Sequence, residues 1–321
     1  MLRKLKAPLL LRTNRVEAEF LDPEPNGPYL LVANHGHRAD AWVLGSLLGR
    51  TIRYMANLEG VSPTKAFFAE LVGAYGKRKG MPDLAALRRT LDLARSGETI
   101  GIFPEGDRSW DGSFQGIKPG LGRLIKLIKL PVLMARQEGS YLSAPRWARH
   151  ERQGQWQVRF KLLPIEEILH KSPEELERSI ESWIAGDGQA SAANFYCKAP
   201  AEGAERVLWL CPACGALHSI RSRGAELFCR DCSAVWRIDA NQRIRWKSQS
   251  QRPHADLPTL QAWIALQAEA IRLRTAYSPQ EKALFPPDRA TLWQRDERGW
   301  QALGKRSIAL TKDSIRLIGI D

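Results

Sequence analysis

Two polar loops carry the residues whose types and spacing can do acid–base chemistry. The first is Asn34-His35-Gly36-His37-Arg38, followed by Asp40. A histidine held by a carboxylate acts as a general base, with the carboxylate fixing the tautomer and stabilising the imidazolium. In a continuous helix the two side chains would lie ~140° apart. They meet only if the segment between them turns, and Gly36 makes that turn easy. A loop histidine beside a helix-capping Asp is the plainer alternative. The second loop is Phe103-Pro-Glu-Gly-Asp-Arg-Ser109. It can set Arg108 against a phosphate and Glu105 against a hydroxyl, although the same residue types also make an ordinary solvated turn.

A third group is built from cysteines. Cys211-Pro-Ala-Cys214 and Cys229-Arg-Asp-Cys232 are separated by 14 residues. Two such knuckles fit a tetrahedral Zn2+ site of the ribbon type, and four thiolates leave no open coordination position, so the metal is structural. A rubredoxin-like iron site and a redox dithiol pair are the alternatives. Cys197 lies outside the pattern and reads as a free thiol.

The elements that must position these groups follow from periodicity. Tyr29 to Ala33 reads as a buried strand running into the histidine loop, and Asp40 opens a helix through Leu48 that Gly49 closes. Ile52 to Ala56 is a second strand. Asp83 caps a helix whose apolar face is Leu84, Leu87, Leu91 and Ala94. Thr99 to Phe103 is a strand ending at Pro104, Gly120 to Lys129 an amphipathic helix, and Pro131 to Ala135 a further strand. Both polar loops therefore follow strand ends, where open α/β sheets place their sites. Ser172 to Ile184 is a helix, and the small residues from Ala185 to Asn194 read as a linker. Beyond the cysteines lie a helix from Leu257 to Arg274 and a β-rich tail that turns near Asp296 to Gly299.

Taken in order, Asn34-His35-x4-Asp40, Leu71-Val-Gly-Ala-Tyr-Gly-Lys-Arg78, Phe103-Pro-Glu-Gly-x-Arg-Ser109 and Leu130-Pro131-Val132 resemble the four blocks of the glycerolipid acyltransferase family, which includes the lysophosphatidate acyltransferases. The resemblance spans roughly residues 25 to 150. It implies an α/β fold, an acyltransferase-type mixed sheet with flanking helices. It also implies His35 as the general base on the acceptor hydroxyl, Asp40 as its orienting partner, and acyl-CoA or acyl carrier protein as the acyl donor. Glu105 and Gly106 would position the glycerol of a lysophospholipid acceptor, with Ser109 in the same substrate loop. Arg78 and Arg108, helped by Lys77 and Lys79, would hold its phosphate. Asp107 stands where the family usually has Thr and His37 where Ser is common, which leaves a phosphate-poor or non-glycerol acceptor as an alternative.

The whole chain bounds these readings. Its 321 residues accommodate about two domains. The expected division is 1–200 catalytic, 205–240 zinc ribbon and 241–321 an α+β extension of unassigned role. Lys plus Arg number 48 against 35 for Asp plus Glu, a net charge of +13. Such an excess favours a polyanion: nucleic acid, an anionic membrane surface or a phosphorylated substrate. The motifs favour the last two and leave nucleic acid only the ribbon, which could equally dock a protein partner. A non-catalytic adaptor that binds lipid or nucleic acid is the rival class. No apolar run is long enough to span a bilayer, and Met1 to Arg12, basic and apolar, lacks the pattern of a signal peptide. The expectation is a cytoplasmic protein peripherally associated with an anionic membrane surface through that segment.

Overall fold

The computed structural model describes residues 14–57, 69, 73–77, 83–189, 191, 193–247, 257–277, 288–296, 299–311 and 314–318. The Met1 to Arg12 segment, Arg78 and Lys79 lie outside the described residues. The chain divides into two compact units, Met1–Gln261 and Ala262–Asp321.

The first unit is built on a mixed seven-stranded sheet of order β1-β7-β6-β2-β5-β3-β4. The strands are β1 (Arg15–Phe20), β2 (Leu30–Ala33), β3 (Ile52–Ala56), β4 (Tyr75–Gly76), β5 (Thr99–Ile102), β6 (Val132–Glu138) and β7 (Gln155–Leu163). Pairing is parallel except between β6 and β7. Every residue of β2 and β5 is buried, as their unbroken apolar runs require in strands covered on both faces. Leu30, Val32, Ile100, Ile102 and Val132 pack into one core and Leu31, Ala33, Leu133 and Ala135 into the other.

The helices are α1 (Asp40–Leu47), α2 (Leu84–Arg95), α3 (Leu121–Ile128), α4 (Ser140–Ser143), α5 (Ile165–His170) and α6 (Pro173–Ile184). Asp83 caps α2 as expected, accepting from the Ala86 N–H at 3.0 Å. The face that α2 buries is rotated from the expected one. Ala86, Thr90, Leu93 and Ala94 point inward while Leu84 is exposed. Thr90 can be buried because its hydroxyl donates to the Ala86 carbonyl at 2.8 Å and meets the Tyr75 hydroxyl at 2.8 Å. α6 carries a capping box between Ser172 and Glu175. The segment after it is no free linker. Gly188 N–H donates to the Gly112 carbonyl at 2.9 Å and Gln189 Nε2 to the Asp111 carbonyl at 2.8 Å, which pins it to the Phe103–Gly112 loop.

The cysteine ribbon belongs to the same unit. Its antiparallel strands are β8 (Ile220–Arg223), β9 (Glu226–Cys229), β10 (Val235–Ile238) and β11 (Ile244–Trp246). The second unit holds most of α7 (Leu260–Tyr277) and the meander β12 (Asp288–Asp296), β13 (Gly299–Leu310) and β14 (Ile315–Ile318). Among the described residues no helix is long and apolar enough to cross a membrane.

Candidate active site

Parallel pairing brings the two polar loops together. Val32 of β2 is in register with Ile102 of β5, and Ala33 with Ala135 of β6, so the loops leave neighbouring strands at the same sheet edge. Asn34 locks the first loop down. Its Nδ2 donates to the Gln137 carbonyl at 2.9 Å, its Oδ1 accepts from the Gln137 N–H at 2.7 Å, and Gln137 Nε2 donates to the Asn34 carbonyl at 2.7 Å.

His35 and Asp40 meet. His35 Nδ1 lies 2.8 Å from Asp40 Oδ2, which also accepts the Gly36 and His37 N–H groups at 2.9 and 2.8 Å. Asp40 is fully buried, whereas the His35 side chain is 22% exposed. With Nδ1 donating to the carboxylate, Nε2 carries the free lone pair, the arrangement a general base needs. The imidazole stacks on Phe103 at 4.1 Å between centroids, and Phe103 stacks on Tyr54 at 5.5 Å. Gly36 serves this turn by its size rather than by a left-handed backbone. A Cβ there would sit 2.5 Å from Ser140 Oγ and 2.7 Å from Tyr141 N.

Glu105 ties the loops to each other. Its Oε1 accepts the His35 backbone N–H at 2.8 Å and its Oε2 that of Gln115 at 2.9 Å. Burial raises its pKa, and the two backbone donors offset part of that rise. Gly106 adopts φ +74° and is exposed. The buried Ser109 hydroxyl is used inside its own loop, donating to Asp111 Oδ1 and accepting the Gly112 N–H, both at 2.9 Å. Arg108 is half-buried, and among the described residues its guanidinium has no ion-pair partner. Burial, then repulsion from Arg146, lowers its pKa, with Asp40 and Asp107 opposing. Asp107 is paired with Arg146 at 3.0 Å.

His37 plays a different part. It is 1% exposed, packs edge-on against Trp156 at 4.9 Å and accepts the Ala39 N–H through Nδ1 at 3.0 Å. Burial, the largest influence, pushes its pKa below the ordinary value, against the pull of Asp40. A depressed folded pKa means stability that is present above the unfolded value of about 6.5 and lost as pH falls through the folded value. Melting temperature is therefore expected to fall from pH 7.5 to 5.5, with a shallower slope in His37→Asn, which keeps an acceptor for Ala39. Equal slopes in the two proteins would contradict this.

The four cysteines converge with their Sγ atoms all within 4.8 Å of one another, a cluster that could hold a metal ion. Cys211 Sγ lies 3.8 Å from Cys232 Sγ, and Cys214 Sγ 3.7 Å from Cys229 Sγ. A tetrahedron with metal–sulfur bonds of ~2.3 Å has sulfur–sulfur edges of about 3.8 Å, so the donor set fits. The two knuckles repeat one pattern. Cys211 N–H and Cys229 N–H donate to the Ala216 and Ala234 carbonyls, and Gly215 and Ser233 N–H donate back to Cys211 and Cys229. Burial raises the Cys229 pKa, but the Ser219 hydroxyl and knuckle N–H groups outweigh it and bring it down to about 7.

The family model for acyltransferases matches residues 14–135, the stretch that contains both loops. The 1-acyl-sn-glycerophosphate (LPA) acyltransferase PlsC from Thermotoga maritima is a similar solved structure, 20% identical, with 57% of this chain and 78% of that chain covered and a TM-score of 0.44. No curated protein matches the chain. In and beside the matched segment, sequence reasoning missed Gln115 and the Phe103 platform, which lie inside it, and Gln137, which lies two residues beyond it. These act through β-strand register and backbone contacts that no local motif encodes.

Proposed function

We propose that the chain is an O-acyltransferase moving a fatty acyl group from acyl-CoA or acyl carrier protein to a hydroxyl of a lysophospholipid of the 1-acylglycerol-3-phosphate type. The observation that carries this reading is the His35 Nδ1 to Asp40 Oδ2 contact of 2.8 Å inside the acyltransferase-family segment. His35 Nε2 takes the proton of the acceptor hydroxyl as its oxygen attacks the thioester carbonyl. The tetrahedral intermediate collapses with loss of the thiolate, which recovers the proton from the imidazolium, while Asp40 stabilises that cation throughout. Glu105 acts as a positioning residue, holding the His35 backbone while Gly106 leaves room beside it. Arg108, with Arg78, holds the acceptor phosphate, and Ser109 shapes the loop that presents Arg108.

Structural Zn2+ is the metal proposed for Cys211, Cys214, Cys229 and Cys232. Bound there, it would cross-link the two knuckles, and with four thiolates it leaves no position for chemistry. The amphipathic acceptor places the enzyme at an anionic membrane surface, with Met1 to Arg12 as the contact segment. Purified full-length protein given acyl-CoA and lysophosphatidate is expected to form the diacyl product and release one thiol per acyl group. Absence of product across a panel of lysolipid acceptors and both donor types would refute the proposal.

A further inference from the structure

After β6 the chain turns back over the two loops. Arg146, Arg149, His150 and Glu151 close a cleft against Arg38 and Arg108. Arg38 comes from the His35 loop and Arg108 from the Glu105 loop, so each polar loop contributes one arginine to the cleft. Three of its arginines are each anchored through one nitrogen. Arg38 Nη2 pairs with Glu151, Arg146 Nη1 with Asp107 at 3.0 Å, and Arg149 Nη2 with Glu205 at 2.8 Å. A guanidinium has five N–H donors, so most of each fork is left for a ligand, and Arg108 brings a whole one. Convergent planar forks suit the oxygens of a phosphate. The Asp107–Arg146 pair also answers the extra negative charge in this loop, because the carboxylate is already neutralised.

The outer wall of the cleft is held from the ribbon side. Glu205 holds Arg149, and Glu202 holds His150 at 2.9 Å. Both acids sit on a short segment fastened to the β8–β9 hairpin. Ser222 Oγ accepts the Gly203 N–H at 3.1 Å and donates to Glu205, while the Gly224 N–H donates to Glu202 at 3.2 Å. Gly203 itself lies so close to the wall that a Cβ would sit 2.3 Å from the Trp147 carbonyl oxygen. β9 ends at Cys229, one of the four sulfur donors, in register with Ile220 of β8.

We propose that this cleft binds a phosphate group of the substrate, and that the metal-braced hairpin sets the position of its Arg149–His150 wall. This deepens the phosphate contact proposed for Arg108 and gives the ribbon a task. The test is equilibrium binding of glycerol 3-phosphate to the metal-loaded full chain by calorimetry. Arg149→Gln is expected to raise Kd by about tenfold or more, the loss of a charge-assisted hydrogen bond. Ser222→Ala, outside the cleft, is expected to raise it about threefold, with bound metal and far-UV circular dichroism unchanged. No binding by wild type, or the same Kd in Arg149→Gln, overturns the site. A shift in Arg149→Gln with none in Ser222→Ala overturns the brace.

Steady-state transfer separates the two sources of phosphate. If the acceptor supplies it, Arg149→Gln raises KM for lysophosphatidate but not for monoacylglycerol. If the donor supplies it, KM rises for acyl-CoA but not for an acyl-pantetheine thioester lacking phosphate. Glycerol 3-phosphate binding without transfer by wild type keeps the cleft and refutes the acyltransferase reading. Transfer without binding does the reverse.

Discussion

Asp40→Ala is expected to reduce acyl transfer by about 10²–10⁴-fold in kcat and to lower the melting temperature as well. The Asp40 carboxylate accepts three donors on one oxygen: His35 Nδ1–H and the Gly36 and His37 N–H groups. Removing it strands two backbone donors in a buried turn, at about 1–3 kcal/mol for each unsatisfied group, and frees the imidazole to rotate. Asp40→Asn separates the two effects. The amide oxygen can still accept at the turn, so stability is largely kept. The imidazolium, however, loses its counter-charge, so kcat still falls while KM for the acceptor stays within about twofold of wild type. Steady-state kinetics and thermal melts on the two variants check this. An Asn variant as active as wild type would remove Asp40 from the chemistry and leave it a turn-forming residue.

Metal removal is the second large effect. The ribbon buries few large side chains, chiefly Ile220, Leu227, Trp236 and Ile238, and a core of that size does not hold four short strands together unaided. Binding of a structural tetrathiolate zinc is worth roughly 10–16 kcal/mol in small domains. Chelation, or Cys229→Ser at the end of β9, is therefore expected to unfold the ribbon while the seven-stranded sheet stays folded. Trp236 and Trp246, which pack edge to face at 5.2 Å, provide the signal. Their near-ultraviolet circular dichroism should collapse on chelation and return on adding Zn2+. Retained dichroism in metal-free protein would show that the sulfur cluster does not stabilise the fold.

Much of the site is written locally. The apolar runs of β2 and β5, each stopping at a polar loop, place His35 and Glu105 at strand ends, and the C-x-x-C spacing alone specifies the sulfur cluster. What local sequence does not carry is which strands are neighbours. β2 and β5 pair although α1, β3, β4 and α2 lie between them in the chain, and that pairing puts Glu105 under the His35 backbone. Gln137 is invisible for the same reason, since its partner Asn34 is reached only across the β2–β6 register. The α2 face departs from its leucine spacing because a threonine, Thr90, is among its buried residues. Thr90 is buried only because Tyr75 and the Ala86 carbonyl satisfy its hydroxyl. Gly36 illustrates a subtler gap: the sequence marks a turn, but the need for a missing side chain comes from Ser140 and Tyr141, more than a hundred positions away.

The central claim is that His35 is the base in acyl transfer. It is tested most directly by thiol release from acyl-CoA in the presence of lysophosphatidate, comparing wild type with His35→Ala at saturating substrates. Wild-type protein is expected to turn over, and His35→Ala to fall by about 10²–10⁴-fold with its melting temperature within a few degrees of wild type. Equal rates of thiol release from the two proteins would contradict the account.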